Sequence, residues 1–337
     1  MTQTATLFAV TANNDVTKVT AVNPPTGNIA IPPMATGGPT GQVANTNTSS
    51  FPVSVVSGGN GASANFIFAN LNGSISAWNG GQTAFIQVTT SGASYTGLAV
   101  NQAQTRLYAA NNVPGGSVNV FNSSFAPVGT ITTPAAISAL NLIPFNVQTL
   151  SNGNVAVTYA PPGRAAQLAT NPATGPTVGA VAIFDATGTT VLQTILGNPN
   201  NKLAAPWGIT LAPASFGPFA NDLLVGNFSS VVSEINAFDP LTGAFLGTIP
   251  IDVGGNMPGG LWSLGFGTGG SNGTPNTLFF NDGINGGVDG LFGALNVVPA
   301  PIAGAGLPGL IFASGGVLAW RRRRKQATRD AGCAATA

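Results

Sequence analysis

Short apolar runs separated by turn residues fill the chain from its start to about residue 300. One pattern recurs six times: a short apolar strand, a turn rich in Asn and Gly, then an alternating strand that ends in an aromatic residue or an Asn/Asp turn. The copies are LFAVTANNDVTKVTAVNPPTG (7–27), FIFANLNGSISAWNG (66–80), LYAANNVPGGSVNVFN (107–122), VAVTYAPP leading to AVAIFDATG (155–188), LLVGNFSSVVSEINAFDPLTG (223–243) and LFFNDGINGGVDGLFGALN (278–296). Their starts lie 41 to 68 residues apart, which suits four-stranded blades joined by loops of unequal length. Each hairpin alone would leave an apolar face in water. Radial packing buries that face between neighbours and protects the sheet edges.

A second element precedes most copies: Pro39-Thr40-Gly41, Tyr95-Thr96-Gly97-Leu98, Pro144-Phe145-Asn146, Pro206-Trp207-Gly208-Ile209 and Gly260-Leu261-Trp262. Each opens a short apolar stretch such as GLAV or GITLA, which reads as the innermost strand of a blade. Five openings serve six hairpins, and the sixth is expected to precede Met1. The expected architecture is therefore all-β: a six-bladed β-propeller over residues 1–297, its first blade incomplete at the N-terminus. Ala-Trp-Asn-Gly at 77–80, Ile-Phe-Asp-Ala-Thr-Gly at 183–188 and Ala-Phe-Asp-Pro-Leu-Thr-Gly at 237–243 fit the same plan. In each, the aromatic ring plugs the blade interior, and Asp or Asn caps a tight turn completed by Gly. A cation-binding ring of Asp185, Glu234 and Asp239 would need side chains these turns already use.

Composition sharpens the picture. With 46 Gly, 25 Pro and only 6% charged residues, helices have little room, while 44% hydrophobic residues are too many for a disordered chain. Histidine is absent, which removes the usual acid/base at neutral pH and the commonest zinc ligand. Cys333 is the single cysteine, so no intramolecular disulfide can form. The body carries only Lys18, Arg106, Arg164 and Lys202 against eight acids, a balance unsuited to tracking phosphates, so no nucleic-acid partner is expected.

The remaining cations cluster at the C-terminus. Residues 302–320, IAGAGLPGLIFASGGVLAW, form a stretch of nineteen without a charge, followed at once by Arg321, Arg322, Arg323, Arg324 and Lys325. As a helix it would rise about 28 Å, close to the thickness of a bilayer core. Trp320 beside the arginines fits an interfacial anchor, and the basic run places residues 321–337 in the cytoplasm as a tail and the body outside. The N-terminal MTQTATLFAVTANNDVTK has neither a basic region nor an adequate apolar core for a signal peptide, so the chain is expected to begin late.

Val298-Pro299-Ala300-Pro301, the apolar stretch 302–320 and the basic run 321–325 together resemble a PEP-CTERM sorting tail, with Ala300 where that motif usually has Glu. The body resembles bacterial propeller proteins of unknown function that often carry such tails. That resemblance rests on Tyr95–Ala99, Pro144–Gln148, Ala205–Gly208 and Gly260–Trp262 among the openings, and on Phe66–Ala69, Gly73–Asn79, Leu107–Asn111 and Leu223–Phe228. It implies an exosortase-type sorting enzyme as a partner, contact with the membrane, and a place in the cell envelope, with the propeller on the outer side of the inner membrane or released to the surface. Extracellular polysaccharide or a surface protein then becomes the expected ligand. The family brings no activity to carry over, and its usual Asn-Pro-Trp-Gly first opening is absent.

Catalytic patterns are sparse. Asn72-Gly73-Ser74-Ile75-Ser76 does not make a nucleophile elbow, and Gly265-Phe266-Gly267-Thr268-Gly269-Gly270 lacks the helix and acid of a dinucleotide site. No cofactor is expected, with one candidate set aside: Asp282 and Asp289 flank a Gly-rich turn that could offer oxygens to calcium. The sequence thus points to a non-enzymatic binding or structural module. The alternative is a lactonase-like or lyase-like propeller enzyme, with acids such as Asp222 or Asp252 on the channel axis. That reading requires several acids or amides from different blades to converge.

Overall fold

The computed structural model describes the backbone of residues 6–10, 16–20 and 28–29, and residues 38–269, 273–287 and 289–296 in full. It is an all-β propeller. Four blades are four-stranded antiparallel meanders: β4–β7 (Pro39–Ala44, Phe66–Asn70, Ser74–Trp78, Phe85–Thr89), β8–β11 (Tyr95–Val100, Arg106–Asn111, Val118–Asn122, Pro127–Ile131), β12–β15 (Ile143–Thr149, Val155–Ala160, Ala180–Phe184, Val191–Leu196) and β16–β19 (Pro206–Leu211, Leu223–Asn227, Glu234–Phe238, Phe245–Pro250). A fifth has three strands, β20–β22 (Pro258–Phe266, Thr277–Ile284, Asp289–Asn296).

The expectation of six blades is corrected to five. The first hairpin of the repeat forms a separate three-stranded sheet, β1–β3 (Thr6–Val10, Val16–Thr20, Asn28–Ile29), that belongs to none of the blades. The physical reason lies in the openings. Only a hairpin preceded by an opening has an innermost strand to pair with, and there are five openings.

The apolar runs are nearly continuous because the second and third strands of a blade are covered on both faces. Every residue of β13 and β14 is buried, while four of the five residues of β11 are exposed at the rim. Alternate side chains serve different neighbours. Val155, Val157 and Tyr159 pack with Tyr108, Val118 and Val120 of the preceding blade. Ala156, Val181 and Ile183 pack with Ile209, Leu223 and Val225 of the following one. The aromatic plugs fall where the turns predict: Phe184 and Phe238 are buried at the ends of their strands. The Asp185 carboxylate accepts the Thr189 and Thr190 N–H groups, and that of Asp239 accepts those of Leu241 and Thr242.

Each inner strand carries a β-bulge near its start. Pairing skips Thr40 in β4, Thr96 in β8, Phe145 in β12, Trp207 in β16 and Trp262 in β20. The five openings of the sequence are these bulges. A bulge leaves one residue unpaired and turns its side chain away from the pleat. In blades 1, 2 and 4 the residue that follows is Gly41, Gly97 or Gly208, where a residue of another blade lies close against the backbone. A Cβ on Gly97 would come within 2.7 Å of the Asn146 Cα, and one on Gly41 within 2.8 Å of the Leu98 Cβ.

Candidate functional site

In an antiparallel meander the chain enters the inner strand at the same end where the second and third strands turn. The bulges therefore gather at one end of the blades, with the long 161–179 connection between β13 and β14. Side chains stitch the blades together there. The Thr40 hydroxyl donates to the Tyr95 carbonyl at 2.6 Å, that of Thr96 to the Phe145 carbonyl at 2.6 Å, and the Asn146 amide to the Trp207 carbonyl at 2.8 Å.

The mouth so formed is asymmetric. On blades 1 and 2 the bulge residues are threonines. On blades 3 to 5 they are Phe145, Trp207 and Trp262, joined by Phe228 from the turn after β17. Trp207 packs against Phe145, Phe228 and Trp262 at 4.7, 5.0 and 4.6 Å between ring centroids. Phe145, Trp207 and Phe228 are buried, whereas Trp262 is half-buried and keeps part of its ring in solvent.

The connection 161–179 lies across this cluster. After the short helix α1 (Ala135–Ser138) it carries the second, α2 (Arg164–Leu168). Gln167 donates to Asn112 of blade 2 at 3.1 Å, and the Leu168 carbonyl accepts from the N–H and hydroxyl of Ser230 of blade 4. Arg164 is exposed, and its guanidinium carbon lies 5.4 Å from the ring centroids of both Phe228 and Trp262. Cation–π attraction holds it over the rings.

The acids are dispersed. Asp282, in β21, is buried at 2% exposure, and neither carboxylate oxygen has a hydrogen-bond partner. Burial raises its pKa, against smaller opposing effects of the nearby Ser233 hydroxyl and the Gly283 amide. Asp289 is exposed on β22, and its carboxylate accepts the Asn285 amide at 2.8 Å. The two flank the turn in sequence and share one face of the β21–β22 pair, yet one is buried and the other exposed. Asp222 and Asp252 stand at opposite ends of the blades, the first between β16 and β17 and the second ahead of β20. Burial, and then the Asp239 charge, raise the pKa of Asp222. Among the described residues no three His, Cys, Asp or Glu side chains come together as a metal site. A recess of about 340 Å³ at the far end of blade 1, lined by Gly58, Asn60, Asn79 and Phe85 among others, holds no ionisable side chain.

Val298 to Pro301, Trp320 and Arg321 to Lys325 lie outside the described residues. Among the described residues no helix is long and apolar enough to cross a membrane. The sequence singled out Trp207 and Trp262 as openings without assigning them to a site. Arg164 went unmarked, although it is one of only four cations in the body.

No family model and no curated protein matches the chain. Among solved structures it is similar to hydrazine synthase of Kuenenia stuttgartiensis, at 13% identity and a TM-score of 0.54, over 83% of this chain and 72% of that one. It is also matched, at 12% identity and a TM-score of 0.38, to a protein of unknown function from Bacteroides caccae, over 68% of this chain and 69% of that one. At such identities the first likeness speaks for the propeller fold alone, and the second carries no weight.

Proposed function

We propose that the protein is an exported, envelope-associated propeller that binds an extracellular polysaccharide at its bulge-lined mouth and carries out no chemistry of its own. One observation carries the reading: a half-buried Trp262 ring and an exposed Arg164 guanidinium share one mouth. A sugar ring offers an apolar C–H face and a polar rim. The exposed part of Trp262 takes the first, and the guanidinium takes the second. Arginine favours ligands with a carboxylate, so an acidic polysaccharide is the expected class. The dispersal of Asp222, Asp252, Asp282 and Asp289 supports binding over catalysis, which needs groups that converge. The sorting tail read in residues 298–325 supports delivery to the envelope by an exosortase-type enzyme.

The test uses the full chain. Tryptophan emission is followed on addition of a uronic-acid polysaccharide and of a neutral glucan. The expected result is a change with the acidic polymer that is lost in Trp262→Ala and weakened in Arg164→Gln. An equal response of wild type and both variants would refute the site. Recovery of tagged protein from the cytosol of its host, with none in the envelope or medium, would refute the address.

A further inference from the structure

Arg164 belongs to the connection that leaves blade 3, yet its guanidinium lies over rings of blades 4 and 5, 5.4 Å from the centroids of Phe228 and Trp262. It reaches the β21–β22 turn as well: a Cβ on Gly287 would stand 3.5 Å from the Arg164 Nη2. Contact with the rings does not by itself fix an exposed arginine. A cation–π pair in water is worth less than the rotamer freedom the side chain gives up. The backbone on either side of Arg164 must therefore be held in place.

Gln167 does this. It is 3% exposed, and its carboxamide donates to the Asn112 Oδ1 of blade 2 at 3.1 Å and to the Pro161 carbonyl at 3.0 Å. Pro161 precedes Arg164 and Gln167 follows it, so one side chain ties the two flanks of the arginine to each other and to blade 2. Asn112 is fixed in turn, because its amide donates to the Pro144 carbonyl of blade 3 at 2.8 Å. From Pro161 to Gln167 no other side chain is hydrogen-bonded to a blade. The later anchors belong to the next stretch: Leu168 packs on the Phe145, Trp207 and Phe228 cluster, and the Thr170 carbonyl accepts the buried Ser229 hydroxyl of blade 4 at 2.6 Å. A glutamine so far out of water is uncommon, and it keeps its place because its donors are satisfied.

We propose that Gln167 is the positioning residue of the mouth: by closing the 161–167 segment onto blade 2 it sets Arg164 over Phe228 and Trp262, and so sets the preference of the mouth for acidic ligands. This rests on the reading of the mouth as a polysaccharide site. Gln167, buried under the segment, acts on a ligand through Arg164. A guanidinium held in one place meets a carboxylate without first losing its freedom, which is the gain of a preorganised site.

The test uses the full chain and two readouts. In the first, a uronic-acid polysaccharide is titrated at low and high salt into wild type, Gln167→Met, Arg164→Gln and the double variant. Gln167→Met keeps the shape and deletes the donors; it is expected to weaken binding about fivefold and to flatten its salt dependence. In the Arg164→Gln background the same change is expected to cost less than about twofold, because the group it positions is gone. In the second readout no ligand is present. Acrylamide quenching of Trp262, taken as the difference between each chain and its Trp262→Phe derivative, is expected to rise in Gln167→Met as far as in Arg164→Gln, and no further in the double variant. If Gln167→Met does not fold, Asn112→Leu, which removes the acceptor, carries both readouts. Wild-type affinity and quenching in Gln167→Met overturn the proposal. So does a loss of affinity that recurs in full in the Arg164→Gln background, since Gln167 would then act on the mouth apart from the arginine. If wild type binds no polysaccharide, the reading of the mouth fails and quenching alone decides the role of Gln167: a rise supports it, and no change overturns it.

Discussion

Trp207 lies against Trp262 with ring centroids 4.6 Å apart and planes inclined by 33°, and the two side chains come from equivalent bulges of adjacent blades. Their contact is where blade 4 meets blade 5 at the mouth. Trp207 also meets Phe145 and Phe228, so it is the centre of a cluster drawn from three blades.

Trp207→Ala is expected to lower stability by about 3–5 kcal/mol, because a buried ring is removed from a cluster held by three blades and cannot be refilled locally. Trp262→Ala costs less, since part of its ring is already in water. Chemical denaturation of both variants checks the order, and equal losses would contradict it.

Gly97→Ala tests the close approach of blades 2 and 3. The added Cβ would stand 2.1 Å from the Asn146 Oδ1. Asn146 cannot turn away without losing its bond to the Trp207 carbonyl. A loss of about 1–3 kcal/mol is expected. Gly175→Ala, at a glycine with open space around its Cβ position, is the control and should change stability by less than about 0.5 kcal/mol.

Thr96→Val keeps the side-chain shape but deletes the donor to the Phe145 carbonyl, leaving a buried acceptor unpaired. The expected cost is about 1–2 kcal/mol in a denaturant melt. A variant as stable as wild type would show that the bond contributes nothing net.

Asp185 and Asp239 are ionised turn caps whose pKa values are lowered, chiefly by the backbone N–H groups of Thr190 and Leu241. A depressed carboxylate stabilises the folded state above its unfolded pKa, and the contribution fades as pH falls through the folded value. Stability is therefore expected to drop below the ordinary carboxylate pKa of 3.8. Melts of wild type and Asp185→Asn across pH 2 to 5 check this, with the variant showing the shallower acid loss.

Much of the fold was legible because propeller blades repeat. The hairpin copies and the turn caps at Asp185 and Asp239 are local features, written as apolar runs, Asx residues and Gly. The five openings were visible too. Their role as bulges was not, because a bulge is defined by the strand opposite. The count of blades failed at residues 7–27, where a hairpin pattern alone was taken for a blade. That Asp282 would be buried and Asp289 exposed was not legible either, because burial depends on what covers each strand.

The alternation of apolar strands and turn residues by itself determined that this chain is an all-β repeat of short hairpins, because each strand needs a partner within a few residues and a neighbour to cover its face. Only the tertiary structure decided that five blades form, that Thr40, Thr96, Phe145, Trp207 and Trp262 gather at one end of the blades, and that Asp282 is buried. Those facts depend on which residues of distant blades come together, and no local pattern encodes contacts made across fifty residues or more of chain.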